Sequence, residues 1–247
     1  MMISDDNLDN PIKHFDVQQT NLLSEILYDE YFVNSKDFKT LMDFGAIYVN
    51  NARQSKDGFI FQNSSVRVHL KPRRYKCDYP WETLIVFENA FCLVLNKPSG
   101  IPSHAAVDNA IENALTQVSL AKKIQLFVTH RLDTLTSGLI VYAKKQSFAK
   151  SFNIQLQERS ICKKYAALIE STEKLPPRLT HYMDTAPGAP KKVADTAFEN
   201  GALCELEILE QKEISKNLSW VKINLLTGRT HQIRSQLAHL QDRKSVV

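Results

Sequence analysis

The fold is decided by the segment THRLDTLTSGLIVYAK, which occupies residues 129–144. Its first half is polar and places Arg131 two residues before the acid Asp133, and its second half is an apolar strand pattern. Alternate side chains of an extended segment point the same way, so these two groups can face one side. A carboxylate beside a guanidinium stays ionised at neutral pH and can act as a nucleophile or a base. From spacing alone, a structural ion pair that fixes the loop is the favoured alternative.

Strand patterns surround this segment and outnumber helix patterns. Most of them follow one another without a helix between, which favours an α+β fold with a mixed, largely antiparallel sheet and flanking helices. Helices are predicted over AVDNAIENALTQVSLAKK, residues 106–123, and QSFAKSFNIQLQERS, residues 146–160. Strands are predicted within residues 83–97, 138–144, 164–170, 202–210 and 219–226.

A separate small domain is predicted over residues 16–75, behind a flexible segment at residues 1–15. Two short helices, NLLSEILYDEYF and SKDFKTLMDFG, come before a hairpin with an Asn50–Asn51 turn. Ser35 is the predicted N-cap of the second helix, and Gly45 ends it. This order resembles the small RNA-binding domain first described in a ribosomal protein, and the alternative is a small structural cap.

Charge is divided unevenly along the chain, which has a formal net charge of +4. Residues 1–60 are acidic and the remainder is basic, and a basic body favours a polyanionic partner such as RNA. The segment VRVHLKPRRYK, residues 66–76, is dense in basic and apolar side chains, so Arg73 and Arg74 are candidate phosphate contacts. The alternative for the basic body is a solubilising surface, and the alternative for residues 66–76 is an exposed linker.

Composition argues against several classes of protein. Hydrophobic residues make up 43% of the chain, which is enough for a core. No stretch has the roughly 18–20 consecutive apolar residues of a membrane span. The four cysteines are far apart and form no C-x-x-C pair, so we expect reduced thiols and no metal site. The acidic start lacks the layout of a signal peptide, which predicts a cytoplasmic protein without membrane contact.

Two further segments carry polar groups in positions suited to a site. In LTGRTHQIRSQLAHL, residues 226–240, the side chains of Arg229, His231 and Arg234 cluster at the start of a helix. A helix N-terminus attracts anions, although ordinary capping with surface charge gives the same pattern. In KKYAALIE, Tyr165 follows two lysines at the head of a strand, where a core or rim tyrosine is the favoured alternative.

Three motifs, in their order along the chain, resemble the signature segments of the RluA-type pseudouridine synthases. They are HRLDTLTSG, KKYAAL and GRTHQIR, and NKPSGIPSH at residues 96–104 resembles the strand and turn that precede them. The resemblance covers residues 84–240, and the order of three motifs makes chance agreement improbable. We therefore predict a pseudouridine synthase catalytic domain over residues 80–241.

The resemblance implies an isomerase that converts uridine within RNA to pseudouridine, without cofactor or metal. Asp133 matches the catalytic aspartate, which attacks carbon 6 of the base or the anomeric carbon of the sugar, after which the uracil rotates and rejoins through carbon 5. Tyr165 matches the tyrosine that packs on the uracil and helps to remove the proton at carbon 5. Arg234 matches the basic residue paired with the aspartate, and Arg131 matches the arginine that holds the opened RNA.

Other residues receive supporting roles, some from this resemblance and some from the basic segments described above. RNA contacts are predicted for six side chains: Arg131, Arg229, His231, Lys97, Arg73 and Arg74. Lys97 is expected near the floor of the cleft without a catalytic role, and His130 and His231 are expected to orient loops. Asp108 and Glu112 are expected to be charges at a helix N-terminus.

The partner and the end of the chain are further expectations. Ribosomal RNA is the favoured target, transfer RNA is possible, and the protein is expected to be a monomer. A non-catalytic RNA-binding or ribosome-assembly factor on the same fold is the main alternative. A small-molecule hydrolase is disfavoured because the chain lacks a Gly-rich phosphate loop. The family pattern continues past the HQIR helix, whereas residues 242–247, DRKSVV, resemble a translated sequencing adapter and are expected to be non-native.

Overall fold

A computed structural model describes residues 10–171, 173–188 and 190–241 of the chain. The chain forms two compact units, residues 1–149 and 150–247, each with its own antiparallel sheet structure. The predicted non-native end lies outside the described residues, as do the first nine residues of the predicted flexible start. Within the part of the chain that the structure describes, no helix is long and apolar enough to cross a membrane.

The first unit combines antiparallel strands with short helices. Its strands are β1 (Ile12–Asp16), β2 (Asn21–Leu22), β3 (Ile47–Val49), β4 (Ala52–Arg53), β5 (Phe59–Ile60), β6 (Ser65–His69), β7 (Ile85–Glu88), β8 (Cys92–Lys97), β9 (Phe127–Val128) and β10 (Gly138–Ala143). Its helices are α1 (Leu23–Tyr31), α2 (Ser35–Phe44) and α3 (Ala114–Lys122), with a 3-10 turn at Trp81–Leu84. A fourth helix, α4 (Gln146–Gln157), runs across the boundary between the units.

A small helix-and-sheet assembly occupies the start of the first unit. Its sheet has the strand order β1-β6-β3-β4, and the separate pair β2-β5 leads directly into α1. One apolar cluster joins the helices to this sheet, with the fully buried side chains Leu23, Leu27, Ile47, Val66 and Val68. The two predicted helices and the hairpin after them are confirmed, whereas the domain limits at residues 16 and 75 stay a prediction.

Two predicted boundaries near the start of the chain need correction. Asn34 is the N-cap of α2 in place of Ser35, because its side chain accepts hydrogen bonds from two backbone amides of the first turn. The flexible segment predicted to reach residue 15 has to end earlier, because Ile12–Asp16 pairs with β6. The hairpin turn is as predicted: Asn50 and Asn51 have φ of 48° and 64°, the geometry of a two-residue turn.

The helix predicted over residues 106–123 is shorter than expected. It begins only at Ala114, where the side chain of Asn113 accepts from a backbone amide of the first turn. Before it, Asn109 Oδ1 accepts from Glu112 N at 2.9 Å. Side chains that bond to nearby backbone in this way offer the chain an alternative to helix.

The second sheet of the first unit carries the segments that matter for a site. Its order is β7-β8-β10-β9, and β8 and β10 pair from Lys97 opposite Gly138 to Cys92 opposite Ala143. The end of β8 therefore lies beside the start of β10. The segment that follows Lys97 and the segment that precedes Gly138 consequently lie at the same end of the two strands.

The second unit is a five-stranded antiparallel sheet with one helix packed on it. The strands are β11 (Lys164–Ile169), β12 (Arg178–Asp184), β13 (Val193–Ala194), β14 (Gly201–Ser215) and β15 (Leu218–Leu225), in the order β11-β15-β14-β12-β13. The helix α5 (Gln232–Gln241) buries Ile233 and Leu237 against Leu206, Val221 and Ile223. The predicted α+β class with antiparallel pairing is thereby confirmed, and β12 is a strand that the sequence pattern did not predict.

Candidate active site

Asp133 lies in the loop of residues 129–137, between β9 and β10. It is half-buried, and its backbone carbonyl accepts a hydrogen bond from Thr136 N at 3.0 Å, which closes a tight turn. Gly138 follows with φ of 122°, a conformation that favours glycine, and begins β10. The carboxylate therefore belongs to a turn just before the start of β10.

The segment of residues 97–103 holds this loop from the end of the neighbouring strand β8. Gly100 N donates to Thr134 O at 2.9 Å, and Ser99 Oγ donates to Leu135 O at 2.7 Å. These bonds join the motif NKPSGIPSH to the motif HRLDTLTSG. Two segments that the sequence analysis could relate only through a family pattern are thus in direct contact within the first unit.

The residue before Asp133 is fixed by a single hydroxyl group. Ser103 Oγ accepts from Leu132 N at 3.0 Å and donates to Leu132 O at 2.7 Å, so it pairs both backbone polar groups of Leu132. Ser103 is itself held by Tyr142, whose hydroxyl donates to Ser103 O at 2.6 Å. All three residues are buried. The sequence analysis did not single out Ser103, because a buried serine has no pattern of its own.

Lys97 has a structural environment that differs from the predicted RNA contact. Its ammonium is fully buried and donates to Pro98 O at 2.8 Å, Ile101 O at 2.8 Å and Thr134 O at 3.3 Å. Burial lowers the pKa of Lys97 to about 8, and the negative charge of Asp133 acts in the opposite direction. The side chain thus ties the end of β8 to the Asp133 loop, and its burial leaves it no surface to offer to RNA.

His130 and Thr129 anchor the beginning of the same loop to β10. His130 Nε2 accepts from Val141 N at 3.1 Å, and Thr129 Oγ1 donates to Val141 O. Because Nε2 accepts, a neutral His130 carries its proton on Nδ1. This geometry fits the predicted role of His130 in orienting the loop. Arg131, the next residue, is exposed.

Tyr165 lies in the second unit, near the beginning of β11 and opposite Ile223 of β15. It is half-buried and packs against the apolar cluster beneath α5. Its environment therefore matches a rim tyrosine, with part of the residue in the core and part exposed. Stacking on a base remains a prediction for this ring.

The remaining predicted site residues surround the start of α5. Arg229 is exposed, and His231 and Arg234 are half-buried. The helix begins at Gln232, one residue after His231, which has φ of 61°. The sequence prediction of basic side chains at a helix start is confirmed in position, and their contacts with RNA stay predictions.

A chain of buried amides fixes this helix start. Gln232 Oε1 accepts from Arg229 N at 3.0 Å and from Thr227 Oγ1 at 2.9 Å. Gln232 Nε2 donates to Gln236 Oε1 at 2.9 Å, and Gln236 Nε2 donates to Cys204 O at 3.2 Å. The amides thus connect the loop that carries Arg229 to the core of the sheet. Gln232 lies inside the quoted motif GRTHQIR, whereas nothing in the sequence pattern pointed to Gln236.

One cluster in the second unit has the residue types of a metal site. His181, Asp195 and His239 offer ligand atoms that all lie within 4.8 Å of one another. However, Gln236 Nε2 contacts His181 Nδ1 at 3.0 Å, and an amide nitrogen can only donate, so the His181 proton resides on Nε2. That Nε2 faces Asp195 Oδ1 at 3.5 Å. A metal needs a lone pair on Nε2, so this geometry fits a hydrogen-bonded pair of histidines bridged by Asp195.

Arg73 and Arg74 pair with carboxylates in the first unit. Arg73 donates to Asp108 from its backbone N and Nε at 2.9 Å and from Nη2 at 3.0 Å. Arg74 donates to Glu112 from Nη2 at 2.7 Å. The prediction that Asp108 and Glu112 are helix N-terminal charges is wrong, because both precede α3 and bind these arginines. The predicted RNA contacts of Arg73 and Arg74 stay predictions, but their charges are already neutralised.

Burial and pairing act oppositely on these acids. Burial raises the pKa of Asp108, but the hydrogen bonds from Arg73 outweigh it and lower the pKa to about 2. Burial also raises the pKa of Glu112, but the hydrogen bonds from Arg74, Tyr75 N and Asn109 and the charge of Arg74 together outweigh it and lower this pKa. Both acids are thus charged partners of the segment that follows β6.

The predicted site residues are divided between the two compact units. Asp133 and Arg131 belong to the first, and Tyr165, Arg229, His231 and Arg234 belong to the second. The pairing of Asp133 with Arg234 stays a prediction from the family resemblance.

Comparison with known families gives a match over most of this region. A family model described as RNA pseudouridylate synthase matches residues 92–239. This range includes the Asp133 loop, Tyr165 and the start of α5. It therefore contains all three sequence motifs on which the resemblance was based.

Curated relatives carry names of the same kind. RNA pseudouridine synthase 6, chloroplastic, of Arabidopsis thaliana is 32% identical over 200 residues, which are 70% of this chain and 42% of the relative. Ribosomal large subunit pseudouridine synthase C of Buchnera aphidicola is 32% identical over 173 residues, 65% of this chain and 51% of the relative. The chain thus spans about half or less of the length of these relatives.

A solved structure shows the same fold. Human RNA Pseudouridylate Synthase Domain Containing 4 aligns with a TM-score of 0.52 and 21% identity. The alignment covers 67% of this chain and 68% of that chain. At this level of identity the likeness concerns the fold alone.

Proposed function

The chain belongs to the RNA pseudouridylate synthase family, and on that premise we propose that it isomerises uridine to pseudouridine in structured RNA. The reaction exchanges the bond from nitrogen 1 of uracil to the sugar for a bond from carbon 5. Substrate and product therefore have the same atoms, and the proposed reaction needs no cofactor. Asp133 is the proposed catalytic carboxylate.

One observation supports this proposal: the matched range contains the motif of Asp133, and both neighbours of Asp133 are fixed through their backbones. Residues 92–239 match the family and include the motif HRLDTLTSG, in which Asp133 is the acid. The residues on either side of it, Leu132 and Thr134, are bound through their backbones to the segment that follows β8. A carboxylate on so constrained a loop suits a role that requires accurate placement.

The proposed chemistry assigns one task to each side chain. Asp133 attacks carbon 6 of the flipped base or the anomeric carbon of its sugar, and the bond between nitrogen 1 and the sugar breaks. After the uracil has rotated, carbon 5 joins the sugar, the bond to Asp133 is released, carbon 5 loses its proton and nitrogen 1 gains one. The family resemblance pairs the basic side chain of Arg234 with this carboxylate. Tyr165 packs its ring on the planar uracil and assists removal of the proton at carbon 5. Arg131 holds the opened RNA around the flipped base. Arg229 and His231 contact RNA from the start of α5.

The target nucleotide must leave its stack before Asp133 can reach it. Unstacking and unpairing a nucleotide cost a few kcal/mol, and contacts between basic side chains and phosphates can offset this cost. The chain beyond residue 60 has an excess of basic residues that suits such contacts. We therefore expect RNA binding that weakens as salt concentration rises.

Ribosomal RNA is the proposed target, with transfer RNA as the second possibility. The name of the Buchnera relative refers to the large ribosomal subunit, and that name supports the choice. A monomer in the cytoplasm is the proposed working form. Sedimentation of the purified chain tests whether it is a monomer, and cell fractionation tests whether it is in the cytoplasm.

The test of the proposed function is a map of pseudouridines at nucleotide resolution. The full chain is incubated with unmodified ribosomal RNA and, separately, with unmodified transfer RNA, and a sample without protein is the control. New sites in one of the two pools establish the activity and identify the class of substrate. Absence of new sites from both pools, with a folded protein that binds RNA, favours the alternative of a non-catalytic ribosome-assembly factor.

A further inference from the structure

We propose that the hydroxyl group of Ser103 is a positioning group for the catalytic loop, which it fixes through the backbone of Leu132. This inference rests on the proposed function, because it assigns Ser103 a role in placing Asp133. It concerns a residue that does not itself meet the substrate.

The hydroxyl group of Ser103 forms two hydrogen bonds with the backbone of Leu132. Ser103 Oγ accepts from Leu132 N at 3.0 Å and donates to Leu132 O at 2.7 Å. A serine hydroxyl has one proton to donate and two lone pairs to accept with, so one group satisfies both backbone atoms. Both residues are buried, with Ser103 4% exposed and Leu132 7% exposed. Water cannot easily replace the hydroxyl there.

Leu132 occupies the position in the loop that determines the placement of Asp133. It immediately precedes Asp133, so the direction of its peptide group sets where the Asp133 side chain begins. On the other side, Thr134 O accepts from Gly100 N at 2.9 Å, and the Asp133 carbonyl accepts from Thr136 N at 3.0 Å. The backbone around Asp133 is thus held on its N-terminal side by Ser103.

Ser103 is itself held in place by two further hydrogen bonds. Its carbonyl accepts from the hydroxyl of Tyr142 at 2.6 Å and from Leu115 N at 3.2 Å. Tyr142 is fully buried near the end of β10, and Leu115 belongs to α3. Ser103 is therefore held by a sheet and a helix, and its hydroxyl group in turn holds the loop through Leu132.

The consequence for catalysis follows from the need for accurate placement. A displacement of about 1 Å in a reacting group can cost about 100-fold in rate. Without the Ser103 hydroxyl, both polar groups of Leu132 lose their partner and the peptide group before Asp133 can turn. We expect Ser103→Ala to lower kcat by about 10- to 100-fold, with the KM for RNA within about twofold of the wild type.

The experiment uses the full chain and two comparison variants. Ser103→Thr keeps a hydroxyl at the same position and should restore at least part of kcat. Ser219→Ala is the matched control, because Ser219 is 1% exposed and its hydroxyl donates to Ser171 O at 2.7 Å in the second unit. It removes an equally buried serine hydroxyl and should leave kcat unchanged, even if it lowers stability as much.

Amide hydrogen exchange gives a readout that does not depend on activity. In Ser103→Ala, the amides of Leu132 and Thr136 should exchange faster than in the wild type, and in Ser219→Ala they should not. Faster exchange together with a lower kcat supports the inference. An unchanged kcat, or equal losses of kcat in Ser103→Ala and Ser219→Ala, contradicts it.

The two proposals fail in different ways. If the wild-type chain makes no pseudouridine in either RNA pool, the proposed function fails. Hydrogen exchange then still decides whether Ser103 fixes the loop, because unchanged exchange at Leu132 in Ser103→Ala removes the physical basis of the inference.

Discussion

Arg73 and Asp108 are joined by three hydrogen bonds, two of them from the guanidinium group and one from the backbone amide of Arg73. Asp108 is almost completely buried, with 7% of its side chain exposed, whereas 65% of the Arg73 side chain is exposed. The pair therefore ties the segment after β6 to the chain just before α3. From the sequence, Arg73 was predicted to contact phosphate and Asp108 to be a charge at a helix N-terminus. In the structure these two residues bind each other.

This contact predicts a loss of stability in acid. The folded pKa of Asp108, about 2, lies below its ordinary value of 3.8. The pair is fully stabilising above the unfolded pKa, and its contribution is lost as pH falls from about 4 towards 2. Because Arg73 is largely exposed, we expect a contribution of about 1–2 kcal/mol. Urea unfolding of the wild type and Asp108→Asn at several pH values should show the two converging at low pH.

The control for this experiment is Asp78→Asn. Asp78 lies 3.7 Å from Lys76, and both side chains are more than two-thirds exposed. Such a pair contributes about 0–1 kcal/mol, so this variant should follow the wild type at every pH. A wild-type advantage over Asp108→Asn that does not shrink in acid would contradict the assignment.

The buried amide of Gln236 predicts a second stability effect. Gln236→Leu removes the partner of Gln232, His181 Nδ1 and the Cys204 carbonyl while keeping a side chain of similar size. Buried groups left without partners should lower the free energy of unfolding by about 1–3 kcal/mol. Ser235→Ala, on the same helix, should change it by less than about 0.5 kcal/mol. Equal unfolding midpoints for the two variants would show that the amide chain does not stabilise the fold.

Tyr165 predicts a division between binding and catalysis. Tyr165→Phe keeps the ring and should bind RNA as the wild type does, but it should lower kcat if the hydroxyl assists proton removal. Tyr165→Leu loses the stacking face as well, and stacking of a base on an aromatic ring contributes about 1–3 kcal/mol. Kinetics with one RNA substrate separate the two effects. Tyr182→Phe, a half-buried tyrosine of β12, should leave both kcat and KM unchanged.

Much of the arrangement near the motifs could be predicted from the sequence. The strand GLIVYA, the strand that carries Tyr165 and the helix that carries Arg234 all occur where their apolar periods placed them. Each of these elements packs one face on a core, so its apolar residues recur with the period of a strand or a helix and can be recognised in the local sequence. The loop position of Asp133 followed from the polar residues before the strand.

The segment before α3 could not be predicted in this way. Its apolar spacing favours helix, but Asn109 and Asn113 bond to the backbone, and Asp108 binds an arginine 35 residues earlier in the chain. A periodic pattern contains no information about a partner so far away. For the same reason the bond from Ser103 to Leu132, across 29 residues, has no signal in the sequence.

The central claim is that the carboxylate of Asp133 performs the isomerisation. The most direct measurement is the single-turnover rate of pseudouridine formation by Asp133→Asn and by the wild type, at saturating concentration of the same mapped RNA substrate. We expect no detectable product from the variant, with the Kd for RNA within about twofold of the wild type, because the substitution removes a charge but keeps the shape. Product at the wild-type rate would contradict the claim and remove Asp133 from the catalytic role.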